Sequence, residues 1–219
     1  MTAKRFALVA VVSAVLAALL TTAMWAASRS ATPGTMMGNG YGGPGMMGGG
    51  YGAGMMGGYS LPGDGRRVDS LDGARQRAQA FADTLGLRVG EVMQFSNGFY
   101  AELNTVDGHG ATEVLVNPDG SVRLEYGPAM MWNTSYGMHR GVSSGEARIS
   151  PAEAQAAAQR WLDDQRPGLS AAEPEVFPGY VTLHTLRDGK ITGMMSVNTA
   201  TGAVWYHTWH GQYLAVSED

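Results

Sequence analysis

The chain has 219 residues and contains no cysteine. Disulfide bonds, thiolate metal sites, a cysteine nucleophile and a lipidated cysteine anchor are therefore excluded. Basic charge is also scarce, because after residue 66 only 11 basic residues stand against 18 acidic ones. A nucleic-acid-binding surface needs a basic patch, so we expect no nucleic-acid partner. The sequence carries neither a His-Glu-x-x-His motif nor a phosphate-binding Gly-Lys-Ser/Thr loop. We predict that the protein is not an enzyme, and a hydrolase of unrecognised type is the least favoured function.

The N-terminus has the pattern of a membrane segment. Lys4 and Arg5 precede 22 residues without a charge, Phe6 to Ala27. As an α-helix this run would span about 33 Å, enough to cross a hydrocarbon core. By the positive-inside rule, the rest of the chain is expected outside the cytoplasm. Residues 1–28 are therefore predicted to be a membrane anchor or signal segment, and Trp25 disfavours cleavage because it interrupts the small-residue cleavage frames. We expect a single-pass cell-membrane protein with an extracytoplasmic C-terminal domain, or a secreted protein if the segment is cleaved.

A segment rich in glycine and methionine follows over residues 29–66. It holds 15 glycines and six methionines between positions 34 and 65. Glycine at this density favours a flexible, disordered linker, which is the preferred interpretation. The methionines form three pairs: Met36 and Met37, Met46 and Met47, Met55 and Met56. Because thioethers are soft ligands, the alternative is that these six side chains bind Cu(I) or Ag(I) as a metal site.

The remaining sequence contains an internal repeat with an offset of 80 to 82 residues. Tyr100, Leu103 and Thr105 of the first copy align with Tyr180, Leu183 and Thr185 of the second. We predict one module over residues 67–127, a connector over residues 128–148, and a second module over residues 149–219.

Each copy begins with an apolar periodicity typical of an amphipathic helix, starting near Leu71 and after Ser150. The second helix has the signature of a capping box, with Ser150 three residues before Glu153. Short alternating strands follow, with hairpin and turn signals at Asn97-Gly98 and at Pro118-Asp119-Gly120. The last strand of the second copy is predicted over residues 203–210. The expected fold class is α+β, with two repeated helix-on-antiparallel-sheet modules after a transmembrane helix and a disordered linker.

Two stretches of the first copy are distinctive: Tyr-Ala-Glu-Leu from residue 100 and Glu-Val-Leu-Val-Asn-Pro-Asp-Gly-Ser-Val from residue 113. After an amphipathic helix, this pattern resembles a PepSY domain over residues 69–127 and, more faintly, over residues 149–210. The connector sequence from Gly127 to Gly137 resembles a Gly-Pro-x-Met-Met-Trp-Asn-Thr-x-Tyr-Gly signature of prokaryotic extracytoplasmic proteins. PepSY domains occur in the propeptides of thermolysin-type metalloproteases and in membrane-anchored bacterial proteins. The resemblance implies a non-catalytic module that binds or regulates a peptidase, another protein or a peptide.

Residue parity along the last strand places Trp205, His207 and Trp209 on the sheet face opposite the helix. Two tryptophans on one face indicate a contact surface, because large apolar patches seldom stay bare. The favoured interpretation is packing against the other module or the connector. The functional alternative is a partner-binding surface. The candidate partner-binding residues are Trp132, Asn133, Tyr136, Trp205, His207 and Trp209.

This region offers two alternative metal sites. His207 and His210 are three residues apart, so on a regular strand they would point to opposite faces and share no ion unless the strand ends or bulges between them. Near the connector, Met130, Met131, Met138 and His139 are expected to fill the groove between the modules, with a second soft-metal cluster as the less favoured alternative. The sequence thus favours an extracytoplasmic binding or regulatory module for a protein or peptide, with Cu(I) binding as the second hypothesis.

Overall fold

The computed structural model describes residues 60–140 and 146–217. The predicted membrane segment and the paired methionines of the linker lie outside these residues. Within the described ranges, no helix has the length and apolar character needed to cross a membrane.

The first sheet has six strands, all paired antiparallel. Its strands are β1 (Ser60–Leu61), β2 (Arg88–Phe95), β3 (Gly98–Asn104), β4 (Gly110–Val116), β5 (Val122–Leu124) and β10 (Tyr213–Ser217). They lie in the order β1-β5-β4-β3-β2-β10. One face is covered by α1 (Leu71–Asp83), whose Ala74, Ala78 and Phe81 are fully buried with the strand residues Val122 and Leu124. This arrangement confirms the predicted amphipathic helix near Leu71.

The second sheet has four antiparallel strands in sequential order. They are β6 (Ser170–Phe177), β7 (Tyr180–Arg187), β8 (Lys190–Asn198) and β9 (Val204–Tyr206). The helix α2 (Pro151–Gln165) packs on one face and buries Ala154, Ala158 and Leu162. Its N-terminus confirms the predicted capping box: the Glu153 backbone N–H donates to the Ser150 hydroxyl, and the Glu153 carboxylate accepts from the Ser150 backbone N–H.

The faces that the helices leave uncovered pack against each other. Met194 of β8 is buried in one apolar cluster with Met93, Tyr100 and Leu115 of the first sheet. Met195, the next residue, points to the opposite face and belongs to the core under α2. The described chain therefore has four layers: helix, six-stranded sheet, four-stranded sheet and helix.

The predicted fold class of α+β with two repeated modules is wrong. Over the described residues the fold is mainly antiparallel β, with ten strands in two sheets against two α-helices and one π-helical turn, Pro128–Trp132. The two sheets are also unequal, because β10 leaves the second copy and pairs with β2 of the first. The two-residue β1 adds the other edge by pairing with β5. Strands β1 and β10 provide hydrogen-bond partners for backbone groups at the two edges of the first sheet. Both pairings join residues that are distant in sequence, so local periodicity does not predict them.

The predicted strand over residues 203–210 is also too long. β9 ends at Tyr206, and residues 208–210 form a turn before the chain crosses to β10. The connector is held against the second sheet at Gly179, whose φ of +92° suits glycine. A Cβ atom at this position would overlap the backbone carbonyl oxygen of Trp132, so the two chain segments approach each other there as closely as glycine allows.

Candidate functional site

A glutamate and two histidines converge between the sheets. Glu125 follows β5 directly, and its backbone N–H extends the ladder by donating to the carbonyl of Glu113. His207 follows β9 and donates in the same way to the carbonyl of Met194. The chain then turns and brings His210 back to the same point. His210 Nε2 lies 2.7 Å and His207 Nδ1 3.3 Å from the same oxygen, Glu125 Oε1.

Neighbouring side chains fix the orientation of these three groups. Ser196 Oγ lies 2.9 Å from His207 Nε2 and 2.8 Å from Thr182 Oγ1, so a hydroxyl pair on the second sheet holds that ring nitrogen. The indole N–H of Trp209 donates to Glu125 Oε1 over 3.2 Å. The side chains of Glu125 and His207 are completely buried, and that of His210 is 5% exposed. The cluster is therefore rigidly held and almost closed to solvent.

The carboxyl group of Glu125 is ionised. Burial alone would raise the pKa of Glu125, but the neighbouring imidazoles of His207 and His210 outweigh that effect and lower this pKa to about 2. Glu125 Oε2 nevertheless has no hydrogen-bond partner within residues 60–140 and 146–217. The group is thus a buried anion with unused bonding capacity.

A second buried carboxyl group, Glu113, lies on the neighbouring strand. The Tyr100 hydroxyl donates to Glu113 Oε1 over 2.8 Å. Burial, reinforced by the charge of Glu125, holds the pKa of Glu113 well above its ordinary value. The pKa of Glu113 is therefore raised while that of Glu125 is lowered, so the two neighbouring carboxyl groups are shifted in opposite directions. Paired acids of this kind can serve in catalysis, but both side chains lie in the protein interior.

A cavity adjoins the cluster at His210 and Trp209. This cavity of about 60 Å³ is lined on one side by His210 and Trp209 and on the other by residues of the first sheet, including Asn97, Leu115 and Arg123. This volume accommodates water or an ion, but it is small compared with the roughly 300–1,000 Å³ of small-molecule sites.

The candidate partner-binding residues of the connector differ in their burial and contacts. Asn133 is buried, where its side chain bonds to the carbonyl of Ala111 and accepts from the backbone N–H groups of Ser135 and Tyr136. Its role in the described chain is to hold the connector turn. Tyr136 is half-buried and packs against the core under α1. Trp132 is half-buried and makes an edge contact with Trp205, with ring centroids 5.4 Å apart.

The aromatic residues after β8 are likewise divided between interior and surface. His207 lies in the interior cluster, where a partner protein cannot reach it without separating the sheets. Trp209 stacks on the His207 ring and is half-buried. Trp205 keeps 37% of its surface exposed. Of these three, Trp205 is the one with a large accessible surface.

The methionines of the connector also differ from one another. Met130 packs against the core under α1, as expected for a residue that fills a groove. Met131 and Met138 are exposed, and so is His139. The six predicted metal ligands of the linker all lie outside the described residues: Met36, Met37, Met46, Met47, Met55 and Met56.

The sequence did not single out Glu125 or Glu113 as site residues. Their signal is a carboxylate on the strand face that points away from the helix, which is also the pattern of a solvent-exposed strand. The sequence makes His210 a candidate ligand together with His207 only if the strand ends or bulges between them, and β9 ends before His207.

Comparison with protein-family models gives no match, and no curated protein matches the chain significantly. Among solved structures, the C-terminal domain of Bacillus megaterium YpeB is similar over 64% of this chain and 62% of that chain, with 17% sequence identity and a TM-score of 0.25. The similarity therefore spans less than two thirds of the YpeB domain, and a TM-score this low carries no argument about fold or function. The chain is a distant and weak structural neighbour of the YpeB domain, and the PepSY resemblance stays a prediction from the sequence.

Proposed function

We propose that the protein is a non-enzymatic binding module at the outer surface of the cell membrane, anchored by residues 1–28, and that its partner is a protein or peptide. The observation that supports this proposal is an exposed aromatic and methionine surface at the start of the connector. We call this surface the connector patch; it comprises Tyr126, Met131, Trp132 and Trp205.

The side chains of the connector patch are both accessible and held in place. Tyr126 is 41%, Met131 46% and Trp205 37% exposed. The Trp205 ring lies against the backbone of Gly127, where an added Cβ atom would come within 3.1 Å of the indole. The Arg123 guanidinium lies over the Tyr126 ring, 4.4 Å from its centroid. Aromatic rings fixed in this way lose little conformational entropy when a partner covers them.

The composition of the connector patch favours a macromolecular partner. Tyrosine, tryptophan, methionine and arginine are the residues enriched in the cores of protein interfaces. Methionine adapts its shape to apolar side chains of a partner. The adjacent cavity of about 60 Å³ is too small to enclose a drug-sized molecule. The proposed occupant is therefore an apolar segment of a protein, and the PepSY resemblance suggests a peptidase as one such partner.

A binding role accounts for the buried acid groups better than a catalytic one. Glu113, Glu125 and the His207 side chain are all buried between two sheets. A substrate would have to part the sheets to reach them, whereas a partner at the connector patch needs no rearrangement of the fold.

The docking proposal is tested by site-specific photocrosslinking in intact cells. A photoreactive amino acid replaces Met131 in the connector patch, and in the control chain it replaces Val106, which is 67% exposed. We expect one discrete adduct from position 131, none of the same mass from position 106, and loss of the adduct when Trp205→Ser is added. Circular dichroism of the Trp205→Ser chain checks that the fold is kept.

Several results would contradict the docking proposal. The same adduct from both positions would indicate non-specific proximity. An adduct of twice the chain mass would indicate self-association instead of a partner. An adduct that survives Trp205→Ser in a folded chain would show that the patch does not form the interface.

The anchoring proposal needs a separate test, since residues 1–28 lie outside the described chain. After alkaline extraction of membranes, we expect the full chain in the membrane fraction and its C-terminal domain accessible to protease added outside the cell. Recovery in the extracted fraction, or protection from external protease, would contradict the proposed location.

A further inference from the structure

We propose that Glu125, His207 and His210 bind a divalent transition-metal ion, for which Zn²⁺ is the probe, between the two sheets. This site is independent of the connector patch and of the methionine pairs in the linker.

The spacing of the three ligand atoms fits a single ion. Two of the separations, from Glu125 Oε1 to His207 Nδ1 and to His210 Nε2, are 3.3 Å and 2.7 Å, and the three groups can present ligand atoms within 4.8 Å of one another. Tetrahedral Zn²⁺ with bonds of about 2.0–2.1 Å places its ligands about 3.3 Å apart. One separation already matches, and on metal binding the other would open by about 0.6 Å.

The groups around the cluster resemble the outer shell of a metal site. Metal-binding histidines usually bond through their second ring nitrogen to a fixed partner, which selects the nitrogen that faces the ion. Ser196 does this for His207, because its hydroxyl lies 2.9 Å from Nε2 and leaves Nδ1 directed at Glu125. Ser196 is fixed in turn by Thr182, and Trp209 donates to the carboxylate.

Hydrogen bonds do not satisfy every buried polar atom of this cluster. His207 Nδ1 and Glu125 Oε2 are buried and lack a hydrogen-bond partner among the described residues. The 3.3 Å contact of Nδ1 with Glu125 lacks the alignment of a hydrogen bond. Buried polar groups without a partner cost stability, and charged groups cost more than neutral ones. A cation would bind the ring nitrogen and compensate the buried carboxylate at the same time.

The chemistry of the ligand set selects the class of ion. Two imidazoles and one carboxylate suit Zn²⁺ and neighbouring divalent ions, whereas Cu(I) and Ag(I) prefer thioethers or thiolates. The cavity beside His210 has space for a water at the fourth position, which Glu125 Oε2 can otherwise occupy. Since Glu125 belongs to the first sheet and both histidines to the turn after β9, the ion would also hold the sheets together.

The test uses the full chain, purified in detergent and stripped of metal with a chelator, and titrated with Zn²⁺ by calorimetry. We expect one Zn²⁺ per chain and a higher unfolding temperature when Zn²⁺ is present. His210→Gln should weaken binding more than about 100-fold, since outer-shell changes alone cost 10–100-fold. The matched control is His184→Gln, because His184 pairs with Glu91 over 3.0 Å elsewhere between the sheets. This control should bind Zn²⁺ like the unmodified chain.

A metal-free unmodified chain that takes up no Zn²⁺ would overturn the proposal, as would a folded His210→Gln chain that binds normally. If His210→Gln does not fold, X-ray absorption of the Zn²⁺-loaded unmodified chain decides. Two imidazole ligands and one carboxylate support the site, and fewer than two imidazoles contradict it.

Discussion

Replacing Met194 by alanine measures how strongly the two sheets hold each other. Met194 is 1% exposed and packs among Met93, Tyr100 and Leu115 of the opposite sheet. Burying a methionine side chain is worth about 1.5–3 kcal/mol, and the cavity left by truncation adds to the loss. We therefore expect Met194→Ala to lower the free energy of unfolding by about 2–5 kcal/mol.

Met195→Ala is the internal reference for this measurement. Met195 is the same residue type on the same strand, is equally buried, and points into the core under α2. Urea unfolding of the full chain, followed by circular dichroism, gives both free energies, and an unchanged slope shows that the unfolding transition is the same. If Met195→Ala is destabilising while Met194→Ala changes stability by less than about 0.5 kcal/mol, the face of Met194 is a solvent face and the reasoning is refuted.

Three further predictions concern the connector, the second helix and the metal site. Gly179→Ala should destabilise the fold more than Gly189→Ala in urea unfolding, because both glycines have positive φ but only Gly179 faces a connector carbonyl; equal effects would contradict the close approach. The pKa of Glu153 is lowered by hydrogen bonds from the Ser150 N–H and hydroxyl, so its contribution to stability is present above the unfolded pKa and is lost as the pH falls through the folded pKa. Glu153→Gln should therefore flatten stability against pH below about 5, whereas an unchanged profile would contradict it. Ser196→Ala should weaken Zn²⁺ binding by about 10-fold without abolishing it, and unchanged affinity would show that Ser196 does not orient His207.

The sequence was sufficient for the local elements of the fold. Both α-helices follow from an apolar periodicity of 3.6 residues, and the capping box follows from the spacing of Ser150 and Glu153, so both depend only on neighbouring residues. The pairing of β10 with β2 joins residues more than a hundred positions apart. Such a pairing does not appear in the local periodicity of the sequence. The six-stranded sheet and the correct fold class could therefore not be predicted from that periodicity.

The interior site was only conditionally predictable. On a regular strand, His207 and His210 would point to opposite faces. Because β9 ends at Tyr206 and the chain then turns, both side chains reach Glu125. Glu125 has the pattern of a surface strand residue, and its burial depends on a second sheet that packs on its face. The location of Trp205 on a contact surface could be expected from its size. Its contact with Trp132 could not, because that contact depends on the position of the connector in the fold.

Burial of the second face of each sheet is the central feature of this fold, because the Glu125 cluster forms only where the sheets meet. Since the chain has no native cysteine, single cysteines report accessibility without interference. Thiol labelling of folded Met194→Cys and Met131→Cys chains tests this directly, because Met194 is 1% and Met131 46% exposed. We predict rapid labelling at position 131 and protection at position 194 until the chain is unfolded. Equal labelling rates at the two positions in the folded protein would contradict the packing of the sheets.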